Sequence, residues 1–417
     1  MGMNRSLLFW VAFPWGGSVL AQPIALPQDA VVDLNSGWAH TVSVIGALDY
    51  NANTVLNELP LAIRRGGYLD RDLRQRSLDK LKPDHNSVGY VLEGRVEWMG
   101  PACSKLTPNW RPLISVAHHD VAGLSFTKDQ YALAFFGNAA YETEKAILAP
   151  SSFIQIRYQT IGAGLQHAKT RSFVRLDLVR GQSYALADVQ WASLYTSEDG
   201  RVLRTALLGD YFASDTAGSG LDRTNGLGAA LSGQWNTSMR VAGKQAILSF
   251  GVDDLGLVAW NANSVRIQKD TLFEYTGWEV ANIFALDNIV LGEDELLDTF
   301  GLRYSTASFT RLLPFRVRIE TSMPVSSLWN VGLALDQRNM PGYIPQLTAQ
   351  ASRRLGTRTM LGGTLSYGGS GGLRLGLAAK HRIGKQVLLS LATPQVPGFV
   401  SGKVRGLGLS FGIVIGF

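Results

Sequence analysis

The last eleven residues of the chain, Leu407 to Phe417, alternate between two kinds of side chain. Every second residue counted back from the end is large and apolar: Phe417, Ile415, Ile413, Phe411, Leu409 and Leu407. Most of the residues between them are small. Because successive side chains of a strand point to opposite faces, this segment predicts a strand with one apolar face and one nearly bare face. A terminal aromatic residue on such a strand is typical of a membrane β-barrel, although the last strand of a soluble sandwich would also alternate.

We interpret Phe417, Ile415, Ile413, Phe411 and Leu409 as a membrane-insertion signal, read by the barrel-assembly machinery while the protein enters outer-membrane lipid. The small residues on the other face would leave room in the lumen beside the closing strand.

The first 21 residues predict a signal peptide. Arg5 supplies a positive charge, Leu7 to Trp15 is apolar, and small residues precede a cleavage site between Ala21 and Gln22. The apolar core is too short to span a membrane as a helix. A buried N-terminal helix of a cytosolic protein is disfavoured by the absence of acidic residues before Asp29. We therefore expect export to the outer membrane of a Gram-negative bacterium.

Composition narrows the class of protein further. No run of eighteen apolar residues follows the signal peptide, which excludes a helical membrane protein. Hydrophobic residues nevertheless make up 46% of the chain, charged residues only 17%, and glycines number 45, as expected for a barrel. The net charge of +6 is modest, and no basic patch indicates nucleic-acid binding. The single cysteine, Cys103, rules out an intramolecular disulfide and is interpreted as a loop thiol.

Strand-like segments of about ten residues recur along the chain, and no linker divides residues 22–417. We therefore predict one all-β domain, a transmembrane antiparallel barrel of about fourteen strands within a range of about twelve to sixteen. Two turns are explicit: Gly368 to Gly372, and Asp199-Gly200 between two alternating runs. The predicted strands are Trp38–Leu48, Val88–Trp98, Phe153–Gln166, Ser172–Leu178, Val189–Tyr195, Val202–Phe212, Gly226–Trp235, Ala246–Val252, Phe315–Thr321, Leu328–Leu335, Met360–Tyr367, Leu373–Ala379 and Gln386–Ala392.

Three segments break this pattern. Asn53 to Leu81 predicts helix, with Val55, Leu56, Leu59 and Ile63 on one face that we name the candidate plug face. Lys128 to Asn138 has helical spacing and could also be a strand, and Gly277 to Phe300 predicts a further insertion. Helices of a barrel protein must lie in the lumen as a plug, at the periplasmic rim or in an outer loop.

Residues that could support catalysis or bind a metal are sparse. Among the six histidines only His118-His119-Asp120 is a local cluster, and we expect it at a turn or strand end. Ser370 lies in the Gly-x-Ser-x-Gly at 368–372, between two strands and not at a strand-to-helix elbow. Asp253-Asp254 reads as a strand end turning at Gly256, with a calcium or lumenal charge role as the alternative. We predict no catalytic residue, no cofactor and no metal site.

Several short motifs resemble a family of largely uncharacterised outer-membrane barrels from Bacteroidota. They are FFGNAAY at 135–141, GQSY at 181–184, LYTSEDG at 194–200, LSFGVDDLGLVAW at 248–260 and FTRLLP at 309–314. That family is similar, more distantly, to the long-chain fatty-acid transporter superfamily, which includes barrels of the type IX secretion and gliding apparatus. The resemblance implies a fourteen-stranded barrel with an inserted plug. Asn51-Ala52-Asn53 lacks the proline of the transporters' Asn-Pro-Ala hatch motif, which puts fatty-acid uptake in doubt.

The leading hypothesis is a non-enzymatic outer-membrane barrel. It would transport a hydrophobic or amphipathic small molecule, or dock an envelope partner protein as an accessory barrel of a secretion or outer-membrane assembly complex. An apolar pocket reaching a lateral gap would favour transport. A filled lumen with an apolar patch outside the lipid belt would favour docking. An outer-membrane hydrolase and a soluble periplasmic β protein are the alternatives.

Overall fold

The computed structural model describes residues 38–66, 68–102, 109–198, 202–215, 220, 223–275 and 305–417. The predicted signal peptide (1–21), Cys103 and the predicted insertion at 277–300 lie outside the described residues. The helices are α1 (Glu58–Arg65), α2 (Arg71–Lys80) and α3 (Lys128–Phe136), with 3₁₀ turns at Ala139–Tyr141 and Val396–Phe399. The strands are β1 (Thr41–Ala52), β2 (Asn86–Met99), β3 (Trp110–Phe126), β4 (Lys145–Ile147), β5 (Ser151–His167), β6 (Phe173–Thr196), β7 (Leu203–Ala213), β8 (Gly226–Val241), β9 (Lys244–Trp260), β10 (Val265–Tyr275), β11 (Ser305–Thr306), β12 (Phe309–Leu312), β13 (Arg316–Pro324), β14 (Trp329–Arg338), β15 (Ile344–Leu355), β16 (Thr359–Gly369), β17 (Arg374–Ile383), β18 (Val387–Thr393) and β19 (Leu407–Gly416).

Fourteen of these strands form a closed antiparallel barrel, which confirms the predicted fold class. In order around the wall they are β1, β2, β3, β5, β6, β8, β9 and β13 to β19, and β19 closes the barrel on β1. Large apolar side chains point outward from the wall; Leu178, Leu176 and Leu227 are 73%, 69% and 65% exposed. A closed barrel pairs every backbone hydrogen-bonding group within a bilayer, and an outward apolar band contacts the lipid. The strands therefore span a membrane.

No helix among the described residues is long and apolar enough to cross a membrane.

The last strand has the two faces that its sequence predicts. It pairs with β1 from Thr41 opposite Gly416 to Tyr50 opposite Leu407. Ile413, Ile415 and Phe417 are exposed on the outer face, whereas Gly412 and its small neighbours point into the lumen. The apolar outer face of this strand is therefore part of the lipid-facing band, and its function as an insertion signal stays a prediction.

The two ends of the barrel differ in the length of their connections. At one end, here the turn end, β8–β9, β13–β14, β15–β16 and β17–β18 are joined by two to four residues. At the other, here the loop end, the connections carry the three helices and the additional strands. Short turns at one end and longer loops at the other are typical of membrane barrels.

Strand β6 extends beyond the barrel wall at the loop end. Its 24 residues pair first with β8, over Phe173–Gly181, and then with β7, over Ala185–Thr196. β10 pairs with β7, and β4 pairs with the far end of β6. A small sheet therefore projects from the rim.

The helices pack together in a second small core at the loop end. Asp70 caps α2 by accepting from the Leu73 N–H, and Thr127 with Gln130 forms a capping box that begins α3. This core, here the cap, joins residues of all three helices with the ends of β1 to β3: Ala52, Val55, Leu59, Leu73, Leu81, Phe126 and Tyr131, flanked by Tyr50, Ala62, Ile63, Val88 and Leu124.

The cap lies on the outer side of the wall. Its strand residues Tyr50, Val88 and Leu124 alternate with the lumen-facing residues Asn51, Gly89 and Gly123, so they point outward. Val55, Leu59 and Ile63 of the candidate plug face pack onto these outward side chains, and Leu56 is buried nearby. These residues therefore lie outside the lumen and not in a plug; of the positions expected for helices, a loop outside the barrel fits them. The physical reason is that the outward-facing apolar residues of β1 to β3 continue beyond the lipid band, and the apolar face of α1 packs against them.

Two polar clusters that were expected at a turn or strand end, one of three residues and one of two, lie inside strands. His118-His119-Asp120 is in the middle of β3, and Asp253-Asp254 is in the middle of β9, so both expectations were wrong. Asp254 has φ +56°, and the register of β9 against β8 shifts beside it. A bulge at this point turns both aspartates toward the lumen, which a strict alternation does not predict.

Candidate functional site

The lumen is lined by charged side chains, because every inward position alternates with an apolar outward one. The strands β2 to β9 contribute the carboxylates Glu93, Glu97, Asp177, Asp253 and Asp254, which we name the acidic wall. The strands β13 to β17 contribute the arginines Arg316, Arg318, Arg338 and Arg374, which we name the arginine wall.

Ion pairs and hydrogen bonds hold the acidic wall together. Arg95 lies 2.9 Å from Glu93, and the Arg175 guanidinium donates to Asp177 at 2.8 Å and lies 3.7 Å from Glu97. Arg175 and Asp177 are almost completely buried. A buried charge is stable only when paired, so these bonds fix the side chains in place.

The imidazole of His119 lies in the centre of the acidic wall. Its Nδ1 is 3.7 Å from Asp254 and 4.0 Å from Glu93, and its ring stacks on Tyr158 at 4.5 Å between centroids. The Tyr158 hydroxyl donates to Asp254 at 2.9 Å. The neighbouring His118 is on the opposite face of β3, so the two histidines do not meet.

The arginine wall is also paired, but it carries more positive than negative charge. Arg318 lies 3.0 Å from Glu320, and Arg374 lies 3.0 Å from Asp49 of β1. Arg316 is bonded to Asp336. Carboxylates therefore outnumber guanidinium groups on one side of the lumen, and guanidinium groups outnumber carboxylates on the other.

A cavity of about 120 Å³ lies beside the arginine wall. Four arginines and two aspartates line it: Arg316, Arg318, Arg338, Arg374, Asp49 and Asp336. Amides and hydroxyls of Gln346, Gln350 and Thr364 complete the polar lining, and Val91 and Met340 supply an apolar part. The excess of guanidinium groups makes this cavity suited to an anion.

Two connections at the loop end fold inward over this cavity. They are residues 339–343, between β14 and β15, and 370–373, between β16 and β17; we name them the roof loops. The Ser87 hydroxyl of β2 donates to the Ser370 carbonyl oxygen at 3.0 Å, and Met340 packs against Val121 of β3. The roof loops thus reach across the mouth of the barrel to strands on the far side.

Glycines permit this close approach. A Cβ on Gly89 of β2 would lie 2.2 Å from the Ser370 Oγ, and one on Gly123 of β3 would lie 3.1 Å from the Met340 Cε. Gly342 has φ +67°, a conformation that glycine adopts without strain. Burial, followed by the neighbouring Asp336, raises the pKa of the Tyr343 hydroxyl, which therefore remains a neutral donor.

An apolar cluster fills the rest of the lumen near the loop end. It is built by inward residues of β3, β5, β6 and β9 together with Leu313 and Met340: Val121, Ile154, Ile156, Tyr158, Val179, Val258 and Trp260. Met340 belongs to both this cluster and the cavity lining. The cavity therefore has a charged side and an apolar side.

Most of the sequence-predicted candidates lie apart from this cavity, and Ser370 and Leu409 are among its lining residues. Ser370 is in the glycine turn, as predicted, and lines the cavity through a roof loop. The arginine wall and the roof loops were missed. In the described part of the chain no three His, Cys, Asp or Glu side chains are placed to hold a metal ion.

Comparisons with known proteins give a family and several similar barrels. The toluene transporter TbuX of Ralstonia pickettii is 7% identical, with a TM-score of 0.42, over 92% of this chain and 91% of that one. The toluene transporter TodX of P. putida is 8% identical, with a TM-score of 0.40, over 94% of both chains. The translocator domain of the autotransporter NalP from Neisseria meningitidis is 10% identical, with a TM-score of 0.33, over 92% and 90%. No curated protein matches the sequence.

A family model matches residues 179–391, from the middle of β6 into β18. The match agrees with the resemblance to a largely uncharacterised family that the sequence motifs showed. Because it covers more than half of the chain, this protein belongs to the family of unknown function DUF5723.

Proposed function

We propose that this protein is an outer-membrane barrel of a Gram-negative bacterium that binds a small anionic, amphipathic molecule in its lumen and passes it across the membrane. The predicted signal peptide and the apolar last strand support the location, and the barrel-assembly machinery would insert the protein into outer-membrane lipid. The function requires no catalysis, cofactor or nucleic acid. The observation that carries it is the cavity beside the arginine wall.

The charge of the cavity supports an anionic substrate. Four arginines face it against Asp49 and Asp336, with Glu320 paired to Arg318 beside it, and guanidinium groups bind carboxylates and phosphates. The Arg374 guanidinium, for example, already holds the Asp49 carboxylate through both oxygens, at 3.0 and 3.2 Å. A substrate carboxylate would join this network without leaving an unpaired buried charge.

The apolar side of the cavity supports an amphipathic substrate. Val91 and Met340 line the cavity and contact the inner apolar cluster, so a short hydrocarbon portion would meet apolar surface there. The charged walls make the lumen a poor path for a wholly hydrophobic molecule, because such a molecule would displace hydration and ion pairing without replacing them. An amphipathic anion therefore fits the lumen better than a wholly hydrophobic molecule does.

Binding of matched six-carbon ligands tests this proposal. Hexanoate, hexanol and hexylamine share a chain and differ in charge, and their affinities for the refolded barrel can be measured by calorimetry. We expect saturable binding of hexanoate alone, weakened about tenfold or more by Arg338→Gln, since a charge-assisted hydrogen bond contributes about 1.5–3 kcal/mol. Arg353→Gln is the matched control, because Arg353 lies on the outer face of β15 against Trp329. Equal binding of all three ligands would contradict the proposal.

Docking of an envelope partner, as in a secretion or assembly complex, is the second candidate function. Tyr68, Phe399 and Val400 are 86%, 56% and 83% exposed in the connections at the loop end. Exposed aromatic and aliphatic residues outside the lipid band indicate a contact surface. A photo-crosslinking residue at Val400 would capture a defined partner in intact cells if this candidate is correct. Capture of lipid alone would contradict a docking function.

A further inference from the structure

A narrow apolar groove lies between α1 and the outer wall of the barrel, separate from the lumen. Its floor consists of Leu48 and Tyr50 of β1, Tyr90 of β2 and Leu407 of β19. These residues alternate with the lumen-facing Asp49, Val91 and Gly408, so the floor faces the membrane. On β19, Leu407 is followed on the same face by Leu409 and Phe411 of the lipid-facing band. The groove is therefore an upward continuation of the surface that contacts lipid.

The other side of the groove is formed by one face of α1. The helix buries Leu59, Ala62 and Ile63 in the cap and presents Pro60, Leu61 and Arg64 to the groove. Positions 60, 61 and 64 are spaced as one helical face, and positions 59, 62 and 63 as the adjacent one. The short helix α1 thus packs into the cap with one face and lines the groove with the adjacent face.

α1 is fixed over the groove by hydrogen bonds to the connection between β18 and β19. The buried Asn57 side chain donates to the Gly406 carbonyl at 2.8 Å and accepts from the Gly406 N–H at 2.7 Å. The Asn57 and Glu58 amides donate to Val404 and Gly402. The groove is therefore preformed, and an occupant would not have to order the helix.

The shape and charge of the groove select its occupant. Its volume of about 80 Å³ is smaller than the roughly 150 Å³ apolar cavity that admits benzene, so it suits a slender hydrocarbon chain and not a ring. The exposed Arg64 guanidinium stands at its edge, beside Arg65 in the last turn of α1. Guanidinium groups recognise phosphate at the depth where lipid head groups lie.

We propose that this groove binds one anionic phospholipid, with an acyl chain between α1 and the barrel wall and the negatively charged head group at Arg64. The bound lipid would join the cap to the bilayer and is distinct from any molecule in the lumen. The proposal rests on the groove and its charge and does not depend on the lumen cavity.

Native mass spectrometry of the full barrel tests it. Delipidated protein is titrated with phosphatidylglycerol and, separately, with phosphatidylcholine of the same chains, and the lipids retained per barrel are counted. We expect one retained phosphatidylglycerol, held at least tenfold more tightly than phosphatidylcholine. Leu61→Trp, which fills the groove, and Arg64→Glu should each weaken retention at least tenfold, and Arg64→Lys should weaken it less.

Arg353→Glu provides the control for charge reversal on the outer face away from the groove, and it should retain lipid like the wild type. Heat-modifiable mobility on gels reports whether each variant is a folded barrel. Equal retention of the two lipids by the wild type would overturn the proposal. So would wild-type retention by a folded Arg64→Glu or Leu61→Trp variant.

Discussion

The contact between Gly89 and Ser370 offers a direct way to displace a roof loop. In Gly89→Ala the new methyl carbon would lie 2.2 Å from the Ser370 Oγ and 2.7 Å from the Ser370 Cβ. Rotation of the serine side chain relieves the first contact but not the second. The loop at 370–373 must therefore shift outward, and the hydrogen bond from Ser87 to the Ser370 carbonyl is weakened.

The size of the effect follows from these two losses. Overpacking of a tight contact costs about 1–3 kcal/mol, and a hydrogen bond contributes about 0.5–1.5 kcal/mol. Together they disfavour the closed arrangement of the loop by about 2–4 kcal/mol. Since about 1.4 kcal/mol is a factor of ten, the ratio of closed to open loop should fall roughly 30- to 700-fold.

Cysteine labelling measures that ratio. Ser366 lines the cavity beneath the roof loops, so Ser366→Cys in a Cys103→Ser background is a single buried reporter thiol. In Gly89→Ala its reaction with a charged maleimide should accelerate by a factor within the predicted range. Gly372→Ala is the matched control, because a Cβ there meets no atom within 4 Å.

A second substitution distinguishes loop displacement from general damage. Among the described residues that are not its chain neighbours, Ser370 alone has atoms within 4 Å of a methyl group added at Gly89, so Ser370→Gly should restore slow labelling to the Gly89→Ala variant. A folded Gly89→Ala barrel that labels at the wild-type rate would refute the view that the roof loops control access to the cavity.

Three other parts of the molecule can be tested by single substitutions or a deletion. Asn57→Ala leaves the Gly406 N–H and carbonyl without their side-chain partner, so the free energy that holds the cap in place should fall by about 1–3 kcal/mol per group. Protease should then cleave near α1. Asn57→Asp keeps the acceptor and should cost about half as much. Leu178→Lys places a charge on the lipid face at a position that is 73% exposed. Denaturant titration in vesicles should show that the free energy of unfolding falls by about 2–4 kcal/mol, the cost of a lysine near the bilayer midplane. Leu178→Met should change stability little. Deletion of Phe417 should reduce the fraction of heat-modifiable barrel formed in cells, and Phe417→Tyr should restore it; wild-type assembly without Phe417 would contradict its role as an insertion signal.

Local patterns predicted the strands that alternate cleanly. The last strand and the hairpin around Gly368 to Gly372 were located within two residues, because alternation and glycine turns are local properties. β3 was missed because Pro112 and the polar His118-His119-Asp120 interrupt its alternation. Asp120 points outward, where it accepts two hydrogen bonds from Arg157 of the neighbouring strand.

The candidate site depended on contacts that no local pattern contains. Helical periodicity identified Leu59 and Ile63 as buried, but it could not say whether the lumen or the outer wall covers them. The roof loop touches β2 through Ser87 and Ser370, which are 283 residues apart in the chain. The close contact at a glycine such as Gly89 can be recognised only when the residue packed against it is known.

The bonds between Asn57 and Gly406 have a consequence for the order of assembly. Asn57 follows the first strand and Gly406 precedes the last, so the two meet only when β19 has reached β1. Until β19 has paired with β1, the helix that follows β1 lacks these hydrogen bonds. The hydrogen bonds that hold the helix therefore form only after the barrel has closed, and the outer surface of the protein reaches its final structure only then.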